Sequence, residues 1–130
     1  MSEQDSLRFR PPKEKPKTPL EKINHGVFEI ANVMELGEED YESLRRYANL
    51  VYRINEITFD FNFDYIAERT YPLDSGEGVF TLTRDNYRQF RDLLKARVGN
   101  LRETVFDKDA NLNHARSQVL VIVNDNIPKI

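Results

Sequence analysis

The sequence predicts an α+β domain: a helical hairpin, an aromatic-rich β-hairpin, a long amphipathic helix and a candidate C-terminal strand, with a mainly α bundle as the alternative. Three observations carry this. Thr18-Pro19-Leu20-Glu21 opens a stripe of apolar residues at helical spacing, Ile57 begins a run with period two, and Thr83–Phe106 returns to the helical period with its side chains sorted by face.

Residues 1–17 precede the first of these and read as an extended arm. Pro11, Pro12 and Pro16 stand among Arg8, Arg10, Lys13, Lys15 and Lys17, with Leu7 and Phe9 as the large apolar side chains. Such a stretch buries too little to fold alone and favours a polyproline-like chain, solvated or laid along a partner. Residues 18–130 then form a single globular domain, long enough for its own core.

Thr18 is placed to cap the first helix, Pro19 loses nothing at the first helical position, and Glu21 stands three residues after the cap. Leu20, Ile23, Val27, Ile30 and Met34 form the packing seam, and Phe28 and Ala31 widen it. Gly26 weakens the middle by about 1 kcal/mol relative to alanine. Gly37 suits the left-handed position past the helix end, which puts the boundary near Leu36. Glu38, Glu39 and Asp40 then supply acid to the first turn of a second helix, expected to run to about Asn55. Tyr41, Leu44, Tyr47, Ala48, Val51 and Ile54 share one side of it; Glu42, Arg45, Arg46, Asn49 and Arg53 share the other. The short link makes the pair an antiparallel hairpin.

Ile57, Phe59, Phe61, Phe63 and Tyr65 alternate with Thr58, Asp60, Asn62, Asp64 and Ile66, which predicts a half-buried strand. Tyr71–Gly78 reads as a turn-rich loop and Val79–Leu82 as the returning strand. Thr83 caps the long helix, with Leu82 and Tyr87 at staple positions. Its core stripe is Tyr87, Phe90, Leu94, Val98, Leu101 and Val105; Gly99-Asn100 marks a bend or break. Near the C-terminus, Leu112, Ala115, Val119 and Ile122 fit a helix capped by Asp109. The β-branched run Val119–Val123 favours a short helix followed by a strand instead.

Composition narrows function mainly by exclusion. The chain has no cysteine, which rules out a disulfide scaffold, thiolate metal sites and cysteine nucleophiles, and fits a reducing, cytoplasmic compartment. No apolar run approaches a membrane span, and no secretory signal or glycosylation sequon is present. Asp60, Asn62 and Asp64 superficially match the start of an EF-hand loop, but Tyr65 and Tyr71 occupy the positions that need glycine and glutamate. His25 and His114 have no ligand spacing, and Ser75–Gly78 matches no nucleophile elbow or phosphate loop. No catalytic residue, metal or cofactor is expected, and the chain reads as a non-enzyme.

Charge is segregated behind a net value of -3. Residues 20–83 carry five basic and thirteen acidic side chains, whereas 84–106 carry six basic and three acidic. Arg84, Arg88, Arg91, Lys95 and Arg102 fall in one sector about 60° wide beside the core stripe of the long helix. In one reading this row pairs with the acidic 20–83 region or with water, as solvated helix faces usually do. In the other, it and the arm residues Arg8, Arg10, Lys13, Lys15 and Lys17 contact a partner. Protein, including a second copy of the chain, is the favoured class, because the acidic block repels a phosphate backbone; nucleic acid ranks behind it and a membrane is not expected. The expected function is a protein-interaction or assembly component, with an accessory nucleic-acid binder as the alternative.

Overall fold

Thr18 opens the first helix in the way its sequence demands. Its hydroxyl oxygen accepts from the Glu21 backbone N–H at 3.1 Å, with Pro19 next in line. The computed structural model describes residues 17–62, 68–72 and 79–127. Helix α1 (Pro19–Val33) is followed by α2 (Glu38–Asn62), strands β1 (Glu68–Pro72) and β2 (Val79–Thr83), helix α3 (Tyr87–Thr104), a 3-10 turn (Phe106–Lys108) and α4 (Ala110–Asp125). The protein is mainly helical. The α+β expectation holds only in coarser form, its β content confined among the described residues to one antiparallel hairpin that pairs Glu68 with Thr83 and Pro72 with Val79. The arm 1–16 lies outside the described residues, and Lys17 is exposed at their edge.

The α1–α2 link closes on Glu35 rather than Gly37. Glu35 takes φ 53°, while the Leu36 N–H donates to Ala31 O at 2.9 Å and the Glu35 N–H to Asn32 O at 3.2 Å. Those two bonds satisfy the last carbonyls of α1 and let Leu36 fold back onto the core.

Over Ile57–Asn62 the expected Ile57–Ile66 strand is replaced by helix, and its remaining residues lie outside the described ones. As far as Asn62, the last residue described before a gap at 63–67, this segment continues α2, a helix of 25 residues. Leu50, Ile54, Ile57 and Phe61 recur at gaps of 4, 3 and 4, and Leu50, Ile57 and Phe61 are buried. Two of the alternating residues, Ile57 and Phe61, also satisfy helical spacing, and burial against α3 and β2 selects that period. Thr58 accommodates the helix by donating its hydroxyl to Ile54 O at 2.8 Å. The proposed Asp60-Asn62-Asp64 strand face therefore does not form, and Asp64 lies outside the described residues.

The C-terminal expectation is corrected in the same way. Val119–Val123 is helical within α4, which Asp109 starts by accepting from the N–H groups of Asn111 and Leu112. Leu112, Ala115, Val119 and Val123 bury one stripe against Ile23, Val27 and Leu44. That tertiary burial outweighs the β preference of the branched run. Gly26 lets α1 and α4 approach closely: a Cβ there would stand 2.7 Å from Ile122 Cδ1.

Helix α2 is the spine. Its Leu44, Tyr47 and Ala48 join α1, α4 and Phe106 in one core, while Leu50, Ile57 and Phe61 join Leu82, Tyr87 and Leu94 in a second. Val98 and Leu101 touch both. Arg116 enters the first core at 8% exposure, where its Nη1 donates to Tyr47 Oη at 3.0 Å and its Nε to Asn113 Oδ1 at 2.8 Å.

Candidate functional site

Helix α3 begins at Tyr87, so the expected start at Thr83 is also corrected. Asn86 ties the junction to β2: its Oδ1 accepts from the Thr83 N–H at 2.8 Å and its Nδ2 donates to Thr81 O at 3.2 Å. Phe61 stacks on Tyr87 with ring centroids 4.5 Å apart, bringing the end of α2 to the beginning of α3. The two helices therefore run antiparallel. Gly99-Asn100 does not interrupt α3.

This arrangement divides the expected cationic row. Arg84 sits on the exposed turn before α3, off the helical face. Arg88 donates from Nε to Tyr87 Oη at 3.3 Å and lies 5.5 Å from that ring's centroid; Arg91 lies 5.9 Å from the same centroid. Arg91 approaches Asp92 at 3.9 Å, too far for a hydrogen bond. Lys95 and Arg102 follow on the same side of α3, both exposed. Two members of the row are thus drawn onto a tyrosine ring rather than onto the acidic region. That ring is only 6% exposed, which denies it to a stacking base.

On the opposite flank of the α3 core stripe, about 150° from the centre of the row, Arg97 lines a groove of about 1050 Å³ with the polar edge of α2. Arg45, Arg46 and Arg53 from α2 and Arg97 from α3 line it with Glu39, Glu42, Ser43 and Asn49; Leu50, Leu101 and Val105 supply apolar surface. None of these arginines belongs to the row expected from the sequence. The segregated polar edge of α2 was the available signal, but its meeting with Arg97 required knowing that α2 and α3 pack together.

Within the groove, Glu42 and Arg45 form a forked pair. Arg45 Nη2 reaches Glu42 Oε1 at 2.6 Å, and Nε reaches both carboxylate oxygens at 3.2 Å. The hydrogen bond from Arg45 holds the Glu42 carboxyl below its usual range against the opposing effect of burial, and the charges of Arg45 and Arg46 add to this. Arg45 is raised in turn by the same bond. Asn49 fixes the floor, donating to Arg45 O at 2.6 Å and to Asn24 Oδ1 on α1 at 3.0 Å. The Ser43 hydroxyl donates to Glu39 O at 3.1 Å within its own helix.

A carboxylate with a lowered pKa is a weak base, and the serine has no histidine or lysine among the lining residues to activate it. Four arginines and two glutamates line the groove beside the apolar Leu50, Leu101 and Val105. Among the described residues no group of three or more His, Asp or Glu is placed to hold a metal, and no helix is long and apolar enough to cross a membrane. Comparison with protein-family models, curated proteins and solved structures finds no match to this chain.

Proposed function

We propose that this protein is a non-enzymatic interaction or assembly component, with the α2–α3 groove as its principal contact surface. One observation carries the reading: arginines from two helices converge on a cavity that also offers apolar side chains. Guanidinium groups supply forked hydrogen bonds and the apolar residues supply burial, the combination by which protein surfaces recognise other proteins. The arm from Arg8 to Lys17 and the exposed Lys95 and Arg102 are secondary contacts in this proposal.

The test uses full-length protein as immobilised bait in extract from its native source. Wild type, R46E/R53E/R97E and R88E/K95E/R102E are compared, each after confirming unchanged helicity by circular dichroism. The groove variant is expected to lose a protein that wild type retains, while the row variant keeps most of it and nuclease treatment releases none. Retention that is indifferent to the groove charges, or released by nuclease, overturns the reading.

A further inference from the structure

Helix α4 differs from the other three in what it shows to solvent. Between Asp109 and Asp125 it holds one Asp, Glu, Lys or Arg, and that residue, Arg116, is 8% exposed and tied to Tyr47 and Asn113. Its exposed side chains are instead chiefly Asn111, His114, Ser117, Gln118, Val121 and Asn124. The exposed faces of α1, α2 and α3 all carry charge, as at Glu29, Arg45 and Lys95. In a chain that is 32% charged, a whole helix face without an Asp, Glu, Lys or Arg departs from what solubility favours and matches what contact surfaces show, a depletion of charge at the centre. His114, Ser117, Gln118 and Val121 lie together on the side of α4 opposite its buried stripe, and Val121 is 59% exposed.

We infer that this face of α4 is a self-association surface, on which a second copy of the chain lays its own α4 across the first, about a twofold axis at the level of Ser117 and Gln118. Two properties select a copy of the same chain as the occupant. A twofold contact sets each residue near the axis against itself or its neighbour, so a charged side chain there meets its own sign; the α4 face has none, whereas Arg45 on α2 or Lys95 on α3 would meet one. An amide or a hydroxyl, by contrast, carries both a donor and an acceptor and pairs with its own symmetry mate, which an ammonium or a carboxylate cannot do. The Ser117 hydroxyl donates to His114 O at 2.7 Å, and Gln118 Nε2 lies 3.0 Å from His114 Nε2. These contacts set the two side chains in place, and the Ser117 oxygen with the Gln118 Oε1 and second N–H supply the symmetric pairing. Val121 adds apolar area beside them. Asp109 and Asp125 stand about 12 Å of helix to either side of that level, at the edges of the contact. A helix about 24 Å long and about 10 Å wide gives a footprint of a few hundred Å², against about 800 Å² per partner in stable complexes, so the dimer is of the weak, exchanging kind. The surface is separate from the α2–α3 groove and does not rest on the interaction reading above.

The inference is tested by sedimentation equilibrium of the full chain at concentrations up to roughly 1 mM, where weak contacts of this size are populated. The weight-average mass of wild type is expected to rise with concentration from 15.3 kDa toward twice that value, and added salt should not reverse the rise. Ser117→Lys and Gln118→Lys, each of which sets two like charges across the axis, should weaken association by about tenfold or more, while the groove variant R46E/R53E/R97E associates as wild type does. Because the chain has no cysteine, Ser117→Cys supplies a single thiol, and under mild oxidation it should form disulfide-linked dimers faster than Gln89→Cys on the exposed side of α3. A mass that stays at that of one chain throughout overturns the inference and leaves the face to a different protein. Association that survives both lysine variants, that salt or the groove reversal abolishes, or that cross-links as fast through position 89 as through 117 also overturns it.

Discussion

Replacing Phe61 and Phe59 separately by alanine tests the extension of α2 on which the placement of α3 depends. In a strand the two side chains lie on one face and their removal has similar consequences. In the helix they are 200° apart. Phe61 is 4% exposed and stacks on Tyr87, whereas Phe59 is only partly buried. Truncating a buried phenylalanine costs about 3–5 kcal/mol, including about 0.5–1.5 kcal/mol from the ring pair. For Phe59, with its remaining exposure, about 1–2 kcal/mol is expected. Urea unfolding followed by far-ultraviolet circular dichroism reads the difference. With a slope of about 1.5 kcal/mol/M, Phe61→Ala lowers the midpoint by roughly 2–3 M and Phe59→Ala by roughly 1 M. Phe61→Leu, at about 1–2 kcal/mol, keeps the comparison measurable if the alanine variant is largely unfolded. Costs at the two positions within about 0.5 kcal/mol of each other would refute the helical assignment.

Three other perturbations address the remaining corrections and the groove. Glu35→Gly removes left-handed strain of about 1–2 kcal/mol and adds about 0.4–1 kcal/mol of unfolded-state entropy. It should therefore stabilise by about 0.5–1 kcal/mol, seen as a melting-temperature rise of roughly 2–4 °C; Glu35→Ala, which keeps the strain, should show no such rise. Gly26→Ala gains about 1 kcal/mol in helix propensity but forces Ile122 aside, so a net loss of up to about 2 kcal/mol is expected. Repeating it in an Ile122→Val background, which lacks the Cδ1 atom at 2.7 Å, should relieve about 1 kcal/mol in a double-mutant cycle. For Glu42 the folded carboxyl titrates below its ordinary range. Its contribution is therefore fully present above the ordinary glutamate pKa and is lost as pH falls through the lowered value. Both partners are nearly half exposed, which limits this to about 0.5 kcal/mol; Glu42→Gln should flatten that part of the acid stability profile, and an unchanged profile counts against the pair.

Several of these features were legible in the chain alone because they depend on neighbours a few residues apart. Thr18, Pro19 and Glu21 define a helix start wherever the segment is placed, and Asp109 does the same for α4. The stripe from Tyr87 to Val105 and the hairpin link after α1 belong to this class, as does Val79–Leu82 as a strand, which in the structure extends to Thr83. At the link the sequence pointed to the wrong residue: glycine at 37 matched the usual preference, but the bonds to Ala31 and Asn32 fix the left-handed residue two positions earlier.

What the sequence determined by itself was which side chains share a face and where local hydrogen bonding begins a helix. It could not decide between periods over Ile57–Asn62 and Val119–Val123, where short apolar runs satisfy both spacings. The tertiary structure decided these, because burial of Phe61 on Tyr87 and of Val119 and Val123 on α1 and α2 exceeds any intrinsic backbone preference. It also decided the candidate site. The row beside the α3 stripe was visible on one helix, but the groove needs Arg97 from α3 opposite Arg46 and Arg53 from α2. Residues 44 or more positions apart in sequence meet there only because the two helices pack antiparallel along a shared core, a relation that no local pattern encodes.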